Sequence, residues 1–88
     1  MLNDINDIYY TKYALQFADM QTTELISTFN ALVGSRAWTG MRAYHDRALI
    51  DEFRRRGIDV AAVYNGQRIS FASPVRYDIR ENTLTVIS

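Results

Sequence analysis

His45 is the single histidine of the chain and stands in the run Ala43-Tyr44-His45-Asp46-Arg47, so acid–base chemistry is asked of it first. A histidine acting as general base needs a carboxylate to orient its ring and a nucleophile within reach. Asp46 is its neighbour, but adjacent residues of a helix point about 100° apart and do not face each other. Met41 and Leu49 stand four positions away on either side, so helical spacing supplies no second metal ligand. Asp51 and Glu52 are also adjacent on the same predicted helix and diverge, which excludes them as a catalytic pair. The expected role of His45 is a partly exposed polar helix residue. No catalytic or metal-ligating residue is assigned, and the chain is read as not an enzyme.

Phosphate chemistry would need a glycine-rich loop or converging cations. The glycines at 34, 40, 57 and 66 are isolated, and no cofactor motif surrounds them. Arg54-Arg55-Arg56 is the strongest cationic feature. It could grip phosphates through bidentate contacts, with Arg42, Arg47, Arg68, Arg76 and Arg80 enlarging the patch and Trp38 and Tyr44 stacking on bases. A plainer reading accounts for the run at less cost. Asp51 to Arg55 and Glu52 to Arg56 are i, i+4 pairs in the favourable order, and cations in a last turn complement the helix dipole. Three successive helical positions also fan around the axis and make no stripe. The candidate binding residues are therefore Trp38, Met41, Tyr44, Arg54, Arg55 and Arg56. Trp38 is read as a core plug under a loop or, if exposed, as a hot spot for a partner.

These groups belong to a chain of 88 residues, the size of one domain, residues 1–88. Such a domain buries only about 60–65% of the surface that its unfolded chain exposes. Hydrophobic residues make up 48% and charged residues 23%, a composition that supports a core. Ten basic side chains balance ten acidic ones, which favours neither a nucleic acid nor a membrane as partner. All nine arginines lie between Arg36 and Arg80, against six acids in residues 34–88, so that part is mildly basic. Cysteine is absent, which removes disulfides and thiolate metal sites. No apolar run approaches the roughly 20 residues of a membrane span, and acids occupy the N-terminus where a signal peptide needs positive charge. A cytoplasmic protein is the default expectation.

The elements that must position these residues read as helices followed by strands. Residues 5–18 fit two periods. Ile5, Ile8, Tyr9, Tyr13 and Phe17 share a helical face, while Tyr9, Thr11, Tyr13, Leu15 and Phe17 alternate as in a strand. Helix is preferred, because Ala14, Leu15, Gln16 and Ala18 are good helix formers. Leu25, Ile26, Phe29, Leu32 and Val33 predict a helix capped by Thr22 or Thr23 and stopped at Gly34. A further helix is predicted from about Gly40 to Arg56, with Thr39 as cap and Gly57-Ile58 as a Schellman stop. Its apolar residues fall on two arcs: Ala43, Leu49, Ile50 and Phe53, and opposite them Met41, Tyr44 and Ala48. The second arc needs a cover, either the N-terminal segment or another subunit. Beyond Asp59 the period becomes two. Val60–Tyr64 and Arg68–Ala72 flank Asn65-Gly66, a signal for a two-residue type I′ hairpin, and residues 75–80 and 84–87 flank a turn at Glu81-Asn82. The expected fold is α+β, with helices packed on a C-terminal antiparallel meander of three to four strands.

The expected function is a non-catalytic binding or regulatory module acting through a protein partner, with no cofactor and no membrane. The alternative is a nucleic-acid-binding regulator using the arginine-rich C-terminal part, and the third reading is a small enzyme using His45. A two-fold homodimer is also expected, from the small size, the second apolar arc and the uncharged strand 84–87. The motifs name no family.

Overall fold

Leu25 and Phe29 lie one helical turn apart, and both are fully buried in the computed structural model, which describes residues 5–35 and 40–87. They anchor helix α2 (Thr22–Leu32), whose stripe continues through Ile26, Leu32 and Val33 against the same core. The cap differs from expectation. Gln21 takes the N-cap position, and its backbone N–H donates to Glu24 Oε1 at 2.9 Å. The Thr22 hydroxyl has another task, accepting a hydrogen bond from Arg56. Gly34 follows α2 at φ 75°, in the left-handed region that favours glycine. The cap expected at Thr39 and the plug expected at Trp38 lie outside the described residues.

Residues 5–18 form helix α1 (Ile5–Ala18). The helical period prevails because Tyr9, Tyr10, Tyr13 and Phe17 can then all meet α3 (Gly40–Arg55), the longest helix. A strand would have turned Thr11 and Leu15 inward with them, yet both are exposed. Of the expected face, Ile8 is also exposed, at 59%. On α3, Leu49, Ile50 and Phe53 are buried as expected, whereas Ala43 is exposed. The second arc is covered within the chain. Tyr44 stacks on Tyr9 with ring centroids 6.1 Å apart, and Ala48 is buried near α1; only Met41 remains open, at 37%.

The stop of α3 follows the Schellman pattern. Ile58 N–H donates to the Phe53 carbonyl and Gly57 N–H to the Arg54 carbonyl, while Phe53 and Ile58 are both buried. Gly57 has φ 77°, and a Cβ there would meet only Asn82 Nδ2 at 3.6 Å, an ordinary contact. The cost of a side chain is thus confined to the backbone. Gly57→Ala is expected to lower unfolding free energy by about 1–2 kcal/mol, measured by denaturant titration.

The α+β class holds, but the meander of three to four strands does not. Among the described residues, the sheet has two antiparallel strands, β1 (Val75–Asp78) and β2 (Thr83–Val86), registered Val75 to Val86 and Asp78 to Thr83. Residues 60–64 curl instead into a helical turn, in which the N–H groups of Val63 and Tyr64 both donate to the Val60 carbonyl. Asp59 starts that turn, because its carboxylate accepts the Ala61 N–H at 2.8 Å. Residues 68–72 contribute one antiparallel bridge, Tyr64 to Ile69. The type I′ turn is also absent. Asn82 is the single described non-glycine residue with positive φ, so Asn65 does not adopt it. The Asn65 side chain accepts the N–H groups of Gln67 and Arg68 and builds a longer loop. Between β1 and β2 the turn spans residues 79–82, with Asp78 Oδ1 accepting the N–H groups of Arg80 and Glu81.

Helix α2 also closes one edge of the sheet. The Asn30 side chain accepts the Val75 N–H at 2.8 Å and donates to the Val75 carbonyl at 2.9 Å, as a neighbouring strand would. On the other edge, a parallel bridge joins Asp59 to Thr83.

Candidate binding surface

The three consecutive arginines point to three different tasks. Arg56 turns inward from the end of α3 and is only 20% exposed. Its guanidinium donates to Glu52 Oε2 at 2.6 Å, Thr22 Oγ1 at 3.2 Å, the Phe17 carbonyl at 3.0 Å and the Met20 carbonyl at 2.6 Å. It therefore ties the end of α1 and the start of α2 to α3. Arg55 makes a fork to both oxygens of Glu52 on the helix surface. Arg54 reaches Asp51 at 3.9 Å and lies over the Tyr64 ring, 5.6 Å from its centroid. The run does not converge into one phosphate grip.

Of the two expected carboxylate–arginine pairs, Glu52 with Arg56 forms, and Glu52 takes Arg55 as well. Asp51 bonds elsewhere: it faces Arg47 at 3.5 Å and accepts the Tyr10 hydroxyl at 2.6 Å. Burial, together with that hydrogen bond, pushes the Tyr10 phenol up to about 12. Glu52 is the more consequential group, because it is buried. Burial alone would raise its pKa, but the hydrogen bonds from Arg55 and Arg56, and then their charges, outweigh it and hold the carboxyl below its ordinary value of 4.5. A folded-state pKa below the unfolded one stabilises the protein above the unfolded value, and that share is lost as pH falls through the folded value. Unfolding midpoints should accordingly drop on acidification past 4.5, and Glu52→Gln should flatten that part of the profile.

His45 and Asp46 do meet, contrary to expectation. His45 Nδ1 lies 3.0 Å from Asp46 Oδ1. The ring is fixed edge-on to Tyr13 and Phe17, with centroids 5.0 and 5.1 Å away, and this turns Nδ1 back toward the neighbouring carboxylate. Asp46 is buried, and its other oxygen accepts Arg42 Nε at 3.1 Å. The Arg42–Asp46 pair is an i, i+4 spacing visible in the sequence; the burial of Asp46 and Glu52 is not. Arg42 also donates to the Leu32 and Ser35 carbonyls at the end of α2, so the cluster locks helices together. No group of three or more His, Asp or Glu residues that could hold a metal occurs among the described residues. No described helix is long and apolar enough to cross a membrane.

A cleft of about 360 Å³ opens between α3 and the loop of residues 64–71. Tyr64, Ile69 and Phe71 form its apolar wall, and Arg47, Gln67 and Arg68 its polar rim. None of these was singled out as a site from sequence, apart from Arg47 and Arg68 as members of the wider arginine set. Of the expected binding residues, Met41 is exposed, Tyr44 is largely occupied by Tyr9, and Arg54 borders this region through Tyr64. Comparison with protein-family models, curated proteins and solved structures gave no match to this chain.

Proposed function

We propose that the chain is a small non-catalytic module that acts through a protein partner, in the cytoplasm. The observation that carries this reading is the internal use of the residues that would otherwise do chemistry. Arg56, Arg42, Glu52 and Asp46 hold helices to one another, while Ile8, Leu15, Met41 and Ile79 remain exposed and a cleft of mixed character opens between α3 and residues 64–71. A nucleic-acid partner would favour arginines converging on one face, and the run at 54–56 diverges. The His45–Asp46 contact favours the enzyme reading, because it supplies the orienting carboxylate. Against it, Asp46 is shared with Arg42 and the ring is wedged between Tyr13 and Phe17, an arrangement that suits a clamp.

A two-fold dimer is the weaker form of the reading. Cover by α1 removes most of the second arc of α3 as a motive for it. Sedimentation at tens of micromolar should give a mass near the 10.2 kDa of one chain.

The test is affinity capture from native extract with three proteins: wild type, His45→Ala and a doubly charged surface variant, Leu15→Lys with Met41→Lys. A protein retained by the first two and lost with the third supports the module. Retention of nucleic acid that disappears with nuclease, or a turnover abolished by His45→Ala, would replace it.

A further inference from the structure

We propose that the cleft between α3 and residues 64–71 docks a peptide segment of the partner that presents an apolar side chain beside a carboxylate. The inference rests on the protein-binding reading and names the chemistry the partner must bring. Its size is the first argument. A volume of about 360 Å³ lies near the lower end of ligand sites, which run from about 300 to 1,000 Å³, and suits a few side chains of a peptide.

Charge is the second argument. Asp46 is the one carboxylate of the lining, and its oxygens are already engaged by Arg42 and His45. Arg68 is exposed, and its guanidinium has no partner among the described residues; its hydrogen bonds run through its backbone. Arg47 is 61% exposed on its side chain and holds Asp51 only at 3.5 Å. The rim is therefore net positive and carries a guanidinium free to take a carboxylate in the two-pronged geometry that suits it.

The aromatic wall favours a peptide over a nucleobase. Stacking a base needs an open ring face. Phe71 packs on Phe29 with centroids 4.8 Å apart and lies under Arg42 at 5.2 Å. Tyr64 lies under Arg54 and has its hydroxyl bonded to the Gly66 carbonyl. Each ring thus has a face engaged by one of the protein's own arginines, and the remaining surface of the wall, with Ile69, is left for the ligand. Those surfaces suit an aliphatic or aromatic side chain of a peptide.

The experiment titrates the full, isotope-labelled chain with a capped hexapeptide, Glu-Asp-Leu-Phe-Asp-Glu, and with a counterpart whose four acids are lysine. Saturable amide shifts confined to residues 64–71 and the facing turns of α3 are expected for the acidic peptide. Arg68→Glu, and separately Arg47→Glu, should weaken that binding by about tenfold or more while thermal midpoints stay near wild type. Equal binding of the lysine peptide, shifts centred elsewhere, no saturable shift, or the same shifts from a single-stranded oligonucleotide would overturn the proposal. Its failure can be told from failure of the broader reading. A captured protein partner retained equally by wild type and Arg68→Glu removes the cleft from the account and leaves the protein-binding module standing.

Discussion

Arg56→Ala is expected to be the most damaging single substitution of a charged residue in this chain, at about 2–3 kcal/mol of unfolding free energy. Arg56 donates to Glu52, to the Thr22 hydroxyl and to the carbonyls of Phe17 and Met20, so its loss strips partners from three elements at once. Removing one member of a buried pair typically costs about 3–5 kcal/mol, because the other charge stays buried. The lower figure applies here, since Arg55 still holds Glu52. A chain of 88 residues has a total stability of only about 4–13 kcal/mol. The melting temperature should therefore fall by roughly 10 °C or more. Arg56→Lys separates charge from geometry: a single ammonium keeps the pair with Glu52 but cannot reach four acceptors, so it should fall between wild type and alanine. Arg55→Ala, on the exposed side of the same carboxylate, should leave the midpoint close to wild type. If Arg55→Ala proved the more damaging of the two, the staple would be misassigned.

Asn30→Ala is expected to cost roughly 2–3 kcal/mol, although Asn30 is neither charged nor part of the apolar core. Its amide satisfies both the N–H and the carbonyl of Val75, and Val75 is 1% exposed. Water cannot replace those partners without opening the contact between α2 and β1, and each buried polar group left unpaired costs about 1–3 kcal/mol. Hydrogen exchange gives a local readout besides overall stability. The Val75 amide should exchange markedly faster in Asn30→Ala, while the Leu84 amide, which donates to the Asp59 carbonyl on the opposite edge, should change only with global unfolding. Asn30→Asp keeps the acceptor for the Val75 N–H and loses the donor for its carbonyl. It should recover slow exchange at that amide better than alanine does.

The same two residues show what a single sequence conveys and what it withholds. Local rules reached the helices: the stripe through Leu25 and Phe29, the Gly57-Ile58 stop and the pair Glu52–Arg56 all follow from spacing along one element. Arg56 at the junction of α1, α2 and α3, and Asn30 beside Val75, depend on contacts across 34 to 45 positions of chain, which no periodicity expresses. Where local rules competed, short polar side chains decided the outcome. Asn65 used its carboxamide to bond the backbone at Gln67 and Arg68 instead of entering the left-handed region, so the tight hairpin did not form. Asp59 capped a helical turn over residues 60–64, the segment expected as a strand. The burial of Val60 and Val63 with Ala61 and Ala62 exposed is helical spacing, readable once Asp59 is seen as a cap. The candidate cleft was hidden for the same reason: it joins a face of α3 to a loop whose path the misread hairpin concealed.

The central proposal is that Arg42, Arg55 and Arg56 serve the fold and that the run Arg54-Arg55-Arg56 makes no nucleic-acid grip. The direct measurement is fluorescence anisotropy of labelled single- and double-stranded oligonucleotides titrated with the full chain at low and then moderate salt. The account expects weak binding at low salt that vanishes on modest addition of salt and is unchanged by Arg54→Ala with Arg55→Ala. Tight binding whose logarithm falls steeply and linearly with that of the salt concentration, and which that double substitution abolishes, would contradict it.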